Sequence, residues 1–400
     1  MPSDNPTSGG LHRAQPAAGL SNNGQQRSQR RRVSLNSLKL HDKLGSGTFG
    51  AVFKCTWQKQ RLAVKTYHRS DGRKGSCAER ELAVLLRLHH ASPAKCPSIC
   101  HLFAYRKTRL NKYFLFFELF SCDLSTYIID VKKRGDVIDA RQAISWTRNL
   151  SGGVAFLHSH CIIHRDLKPA NILLRDLGDA PLAAATAEQS QQLAAPDQCQ
   201  PAATSEQWQA VIADFGNSAI VQRSIRHCTL DASWDSSGRA LSRDVCTLCY
   251  AAPEMLVPGA TYGHPVDIWS LGLVLLEVEA REVACPARPR APDWEQLQAY
   301  WHLCQPAAAW MPSSSLVNSV RKMLERRNGF PRRVIGTFGL RMATGRRVRR
   351  RSEVGEVYGP QFRAFAFRLL HFEPIMREPS SVLSARCEQS FQRYANTRLW

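Results

Sequence analysis

Residues 266–278 read VDIWSLGLVLLEV, a helical pattern that is apolar on nearly all sides. Such a helix has no face to offer to water, so it belongs at the centre of a lobe with other elements packed around it. A lobe of that kind needs a chain that can bury a large core. The 400 residues here can do so, with room for a second domain or lobe.

A further helical pattern, ARQAISWTRNLSGGVAFLHSH at 140–160, lies in the same half. The upstream half is patterned differently. LKLHDKL (38–44), AVFKCTW (51–57) and RLAVKTY (61–67) look like β-strands with turn residues between them. Residues 78–90, AERELAVLLRLHH, put Leu82, Leu85 and Leu86 at helical spacing, continued by His89. YFLFFELF (113–120) is an aromatic-rich buried strand. The expected architecture is α+β and bilobal: a small β-rich lobe with one helix over 38–120, then a larger, mainly helical lobe over 121–395. The connector follows Phe117, and clefts between such lobes commonly hold small ligands.

Three segments fall outside this pattern. Residues 1–37 are polar, basic and without apolar period, and read as a disordered tail. Residues 176–208, with nine Ala, six Gln and three Pro, read as an inserted mobile loop. Ordering each residue costs roughly 1–2 kcal/mol, and few large apolar side chains are present to offset that. Residues 281–360 are Pro- and Arg-rich and read as a second, basic insertion.

The net charge is +21. Residues 1–35 contribute +4 and residues 321–351 contribute +11, twelve Lys and Arg against Glu325. The bland reading is solvated basic tracts. The sharper one is close contact of 27–32 and 321–351 with acidic partners or nucleic acid. No apolar run approaches a membrane-spanning length, and the N-terminus has no apolar core of a secretory signal. The 13 cysteines are accordingly expected as reduced thiols, in a cytoplasmic or nuclear setting.

Four short stretches carry chemistry. In LGSGTFGAVF, Leu44 to Phe53, Gly45, Gly47 and Gly50 fit G-x-G-x-x-G and are followed by Val52. Such glycines let backbone amides close on an anion. Alone, the pattern also fits a tight hairpin. Because it leads into another strand rather than a helix, it reads as a flap over phosphates and not as a dinucleotide fingerprint. Lys65, in LAVK, sits in an apolar strand and needs a partner; Glu81 on the following helix can supply one, although a snorkelling surface lysine is the plain alternative. In IADFGN (212–217), Asp214 can hold magnesium, a metal that takes hard oxygen ligands; by itself DFG is a common turn. CIIHRDLKPANILL (161–174) wedges polar residues between two apolar runs. With ATP and Mg2+ in the cleft, Asp166 can accept a hydroxyl proton, Lys168 can steady charge on the phosphoryl group, and Asn171 can bind a second metal ion.

Taken in order, GSGTFGAV, LAVK, the helix with Glu81, HRDLKPAN, DFG and the APE at 252–254 resemble the eukaryotic protein kinase family. The likeness covers about residues 38–392 apart from the insertions. It implies a kinase-like bilobal fold, with transfer of the ATP γ-phosphate to Ser or Thr hydroxyls of protein substrates. HRDLKPAN with Lys168, and Thr247 ahead of APE, resemble the serine/threonine type. The likeness also implies that Phe117 is the gatekeeper and that backbone at Glu118 and Phe120 meets adenine. Leu44, Val52 and Ala63 join the nucleotide-binding set. Asp267 braces the catalytic loop, and Arg377 pairs with Glu254. FFELFSCDL, DVCTLCYAAPE and LLHFEPIMREPS look most like the group of cyclin-dependent and MAP kinases. Where that group has Trp and Arg, this chain has Cys249 and Ala251, so proline-directed specificity does not follow. Nor does cyclin dependence, because the helix around Glu81 lacks a cyclin-binding sequence. A monomer, or a chain with an unidentified regulatory subunit, is expected.

Regulation is read from three features. Arg165 precedes the catalytic aspartate, and in kinases with this arginine a phosphate on the activation segment often orders the loop. Ser242 aligns best with such a site; a constitutively ordered loop is the alternative. Ser34 and Ser352 each follow a run of arginines and suit basophilic kinases or this chain's own cleft. Cys246 and Cys249 form a C-x-x-C, which a single pair leaves short of zinc's four ligands, so they read as packing thiols.

Overall fold

The computed structural model describes residues 37–47, 50–67, 77–91, 96–110, 112–178, 207–221, 241–242, 245–304, 315–325 and 354–397. Ser34, Ser352, the 27–32 tract, most of 321–351 and the interior of 176–208 lie outside these residues.

The first lobe is a five-stranded antiparallel sheet with one helix. Its strands are β1 (Lys39–Gly47), β2 (Gly50–Trp57), β3 (Gln60–Tyr67), β4 (Ala104–Lys107) and β5 (Tyr113–Glu118), and α1 (Cys77–Ala91) follows β3. The strand order is β1-β2-β3-β5-β4. β1 and β2 close as a hairpin with Gly47 opposite Gly50, so the glycine motif does lead from strand to strand. The register then sets Val52 opposite Lys65, and Lys65 opposite Leu115. One side of the sheet buries Cys55, Trp57, Leu62, Val64 and Phe116 together. Leu115, on β5, joins Val84, Leu85 and Leu88 of α1 in the main core. The sequence stripe Leu82, Leu85, Leu86 and His89 is therefore rotated in the structure. Leu82 and Leu86 are partly buried, and His89 is exposed. The buried stripe Val84, Leu85 and Leu88 shares a core with Leu115 of the sheet, and α1 also lies against the 215–217 turn and β10.

β6 (Cys122–Asp123) begins the second lobe, followed by α2 (Leu124–Arg134) and α3 (Ala140–Ser159). Both helices have carboxylate N-caps, Asp123 accepting from Thr126 N–H and Asp139 from Arg141 and Gln142 N–H. α2 stops at Gly135, whose φ of 75° permits the left-handed cap. Next come β7 (Ile162–Ile163), β8 (Ile172–Asp176), β9 (Trp208–Ile212) and β10 (Ala219–Ile220). β6-β8-β9 form a three-stranded sheet and β7-β10 a two-stranded one. Asp176 pairs with Trp208, so the ends of the expected insertion belong to a β-hairpin.

α4 (Pro253–Leu256) precedes α5 (Pro265–Ala280), which is buried from Pro265 through Glu279. This is the central helix that its all-round apolar pattern demands. α6 (Asp293–Leu303), α7 (Ser315–Glu325), α8 (Val354–Leu369) and α9 (Ser380–Thr397) complete the lobe. The span 281–360 differs from the expected insertion. Leu297, Tyr300, Val317, Val320 and Leu324 are buried in the main core, so α6 and α7 are packed parts of the lobe. Exposed Pro286, Pro289 and Pro292 and the exposed Arg288 and Arg290 dominate the local composition and mask the helical stripe that follows. Arg321 and Lys322, which open the basic tract, lie on the solvent side of α7.

Candidate active site

Lys65 is the hinge of the first cluster. β3 alternates, so buried Val64 points into the sheet's core while Lys65 faces the other way. Its ammonium lies 2.7 Å from Glu81 Oε2 and 2.7 Å from Asp214 Oδ1. Tyr67, two positions on and hence on the same face, donates its hydroxyl to Glu81 Oε2. Burial alone would lower the Lys65 pKa, but the two carboxylates raise it above its ordinary value. One cation therefore serves two acids of unequal burial. Glu81 is 1% exposed, and burial lifts its carboxyl against the pull of Lys65. The Asp214 side chain is 48% exposed. Burial pushes its carboxyl up, but the Lys65 charge and hydrogen bonds from Lys65 and Gly216 outweigh this and hold it below the usual range. Asp214 also has φ 62° and ψ 77°, a left-handed conformation that costs a non-glycine residue about 1–3 kcal/mol and clusters at functional sites. Beside it, a Cβ on Gly216 would stand 3.0 Å from Cys77 Sγ and 3.2 Å from both Asp214 Oδ1 and Glu81 Oε2. A side chain there has no room.

The second cluster is the loop 164–171. Its backbone is held from α5: Asp267 accepts from His164 N–H (2.8 Å), Arg165 N–H (2.9 Å) and His158 Nε2 (2.9 Å). Burial raises the Asp267 carboxyl, yet the His158 bond and the charges around it carry it below its usual range. Asp166 then points at a ring of donors. Oδ1 accepts from the Thr247 N–H and hydroxyl at 3.0 and 2.8 Å. Oδ2 accepts from Lys168 (3.0 Å), Asn171 Nδ2 (3.2 Å) and Asn217 Nδ2 (3.3 Å). Lys168 also donates to the Thr247 hydroxyl at 2.7 Å, closing an Asp166–Lys168–Thr247 triangle. Asn171 spends its amide nitrogen on Asp166, through both the carboxylate and the backbone carbonyl. Its amide oxygen accepts no hydrogen bond among the described residues.

The expected nucleotide set gathers on the cleft side of the sheet. Ala63 is buried and pairs with Phe117 across β3 and β5, and Val52 pairs with Lys65. Phe117, Phe120 and Leu173 pack against the buried cluster of Cys100, Val211 and Ala213. Leu44 is 46% exposed at the edge of the flap. The two described glycine contexts differ. A Cβ on Gly45 would meet nothing within 4 Å, whereas one on Gly50 would stand 2.0 Å from the Thr66 carbonyl oxygen. Glu118 ends β5. Its carboxylate is held by Arg175 of β8, at 2.8 Å through Nε and 2.8 Å through Nη2.

Some readings land elsewhere. Arg165 is 5% exposed and donates to the carbonyls of Asn217 (2.6 Å) and Ser218 (3.4 Å) and to the Tyr262 hydroxyl (3.1 Å). Tyr262 in turn donates to the Ser242 carbonyl. Among the described residues Arg165 thus meets neutral oxygens, and is linked to Ser242 through Tyr262. Burial pushes the Cys246 and Cys249 thiols up to about 12 and about 11, so both are protonated at neutral pH. Tyr67, Leu173, Arg175 and Asn217 were not singled out by sequence. The period of β3 places Tyr67 beside Lys65, and that signal was available; the other three depend on contacts distant in sequence.

A two-lobed fold with a lysine bridged between lobes, and a carboxylate framed by lysine, threonine and asparagine, defines a phosphotransferase cleft. A family model described as protein kinase domain matches residues 38–377, and the chain belongs to that family. Its reaction is phosphoryl transfer to protein substrates, and protein kinase domains generally use ATP and Mg2+ for it.

Proposed function

We propose that this kinase acts on serine and threonine, with ATP as donor and Mg2+ as its metal. The observation that carries the reading is the Asp166–Lys168–Thr247 triangle, which fixes one carboxylate where an incoming alcohol can meet it. Asp166 receives the hydroxyl proton as the oxygen attacks. Lys168, 3.0 Å away, orients the carboxylate and places positive charge at the same end of the cleft. Lys65, kept charged by its two acids, holds nucleotide phosphates. Asp214 and Asn171 fit Mg2+: one is an ionised carboxylate with an exposed side chain, the other an amide whose oxygen is left unengaged, and both are hard oxygen donors. When bound, the nucleotide supplies the transferable phosphoryl group and the metal offsets its charge. Residues Asp166, Lys168, Lys65, Asn171 and Asp214 then position and stabilise, with no protein nucleophile required.

The test is phosphate incorporation into a generic basic protein, followed by phosphoamino-acid analysis. Phosphoserine or phosphothreonine is expected from the wild type, and none from Lys65→Met or Asp214→Asn. Label found on tyrosine alone, or retained in both variants, overturns the reading. We further propose that phosphate on Ser242 raises activity, since its side chain is exposed and its backbone carbonyl is linked through Tyr262 to Arg165. Ser242→Ala should lower the activity of a fully phosphorylated preparation; unchanged activity refutes this.

A further inference from the structure

The connector between the lobes runs from the end of β5 to β6 and is held from β8. Leu173 packs against the same Cys100, Val211 and Ala213 cluster as Phe117 and Phe120. The Leu174 carbonyl accepts from the Ser121 N–H at 3.2 Å. Arg175 makes the largest contribution. Its Nε and Nη2 donate to the two Glu118 oxygens, 2.8 Å each, in the planar fork that suits a carboxylate. Its guanidinium carbon lies 5.3 Å from the centroid of the Phe120 ring. The remaining nitrogen, Nη1, donates to Gln209 of β9 and, at 3.3 Å, to the Pro97 carbonyl. One side chain of the helical lobe therefore holds both connector residues whose backbone is assigned to adenine, and fastens them to β9 and to the segment ahead of β4. The Glu118 side chain is 49% exposed, so without this fork it is free to turn to water.

We propose that Arg175 is a positioning residue for nucleotide binding: its grip on Glu118 and Phe120 fixes the connector backbone that receives the purine ring. The proposal rests on the kinase reading above. Arginine is required rather than any cation, because a lysine ammonium cannot bond both oxygens and stack on the ring together. Glu118 itself acts here through its side chain, while its backbone faces the ligand.

The full chain is tested as Arg175→Ala, Arg175→Lys, Glu118→Ala, the Ala/Ala double variant and the exchanged pair Arg175→Glu/Glu118→Arg. KM for ATP and kcat are measured with a protein substrate, the Kd for ADP by calorimetry, and the unfolding midpoint without nucleotide. Arg175→Ala should raise both KM and Kd about fivefold, the size expected for a partly exposed ion pair, with kcat at saturating ATP within about twofold. Arg175→Lys should recover less than half of that loss. The double variant should bind no worse than the worse single one, and the exchanged pair should bind better than either single charge deletion. A KM unchanged within experimental error overturns the proposal. So do additive losses in the double variant, or parallel losses of kcat and folding stability with ADP binding intact. If Arg175→Ala does not fold, the exchanged pair decides on the same criteria. A wild type that binds no ADP overturns the kinase reading itself, and with it this one; normal wild-type turnover with the outcomes above refutes Arg175 alone.

Discussion

Replacing Arg377 should unfold the helical lobe more readily than any exposed substitution. The Arg377 and Glu254 side chains are 0% and 2% exposed. Arg377 Nη1 and Nη2 donate to Glu254 Oε1 and Oε2 at 2.6 and 2.7 Å. Three carbonyls take its other hydrogen bonds: His371 at 2.7 Å, Pro265 at 2.9 Å and Phe372 at 3.2 Å. The guanidinium also lies over the Trp269 ring, 5.1 Å from its centroid. All three guanidinium nitrogens are engaged. Arg377→Ala therefore strands one buried carboxylate and leaves three carbonyls short of a donor. Breaking a buried pair from one side costs about 3–5 kcal/mol. For a unit of this size that corresponds to a fall of roughly 10 °C in the unfolding midpoint. The assay is thermal and urea unfolding followed by circular dichroism, without nucleotide. Arg377→Lys should lie close to Arg377→Ala, because one ammonium cannot span the donors' directions. The decisive comparison is Glu254→Leu/Arg377→Met, which removes both charges and should recover most of the loss. A fall below about 2 °C for Arg377→Ala, or a double variant no better than the single one, would show that the pair's desolvation had been misjudged.

Two further outcomes follow from particular contacts. Gly50→Ala drives a methyl group onto the Thr66 carbonyl, which is backbone and cannot swing aside; it should lower stability by about 1–3 kcal/mol and weaken ADP binding, whereas Gly45→Ala, with open space around it, should fold like the wild type. Calorimetric ADP titration and urea unfolding of both variants check the contrast, and equal behaviour of the two refutes it. The His264 ring packs on His158 with centroids 4.7 Å apart, and its Nε2 is buried without a partner among the described residues. Burial, and then the neighbouring His158, lower its pKa to about 4, against the weaker pull of Asp267. The unfolded chain, with an ordinary value of about 6.5, takes up this proton first. Stability from His264 is thus complete above about pH 6.5 and is lost as pH falls towards 4, by about 2 kcal/mol between pH 7 and pH 5. His264→Asn should lose less stability over that interval than the wild type in urea unfolding, and identical slopes refute the assignment.

Elements whose apolar pattern is local were legible in the sequence. The all-round apolar run at 266–278 could only be a buried helix, and α5 is one. RLAVKTY was equally legible as a strand, whereas the face that Lys65 takes, away from Val64, is set by the pairing of β3 in the sheet. The α6 and α7 helices were hidden because the exposed prolines and arginines before them dominate the composition, while their core stripe rests on a few residues such as Leu297, Tyr300 and Val320. α1 shows a smaller version of the same problem. Periodicity sets the spacing of its apolar stripe, but the core it shares with Leu115 of the sheet and the 215–217 turn against it decide which residues face inward.

The site divides along a similar line. Motif residues that bond within a few positions, such as Asp166 with Lys168 and Asn171, could be grouped from their order alone. Distant partners came only with the family resemblance, as Thr247 and Asp267 did, and those outside its motifs did not come at all: Arg175 reaches Glu118 across 57 positions, and Arg165 reaches Tyr262 across 97. The case of Arg165 shows why this matters for regulation. A guanidinium already bonded to two carbonyls and a tyrosine hydroxyl must give up some of those bonds to meet a phosphate. They already have an ionised donor, so the exchange gains the attraction of the second charge and loses the pairing of the Asn217 and Ser218 carbonyls unless these find other donors. Any gain from phosphorylation is therefore set by how the 217–218 backbone rearranges, as well as by the charge that arrives.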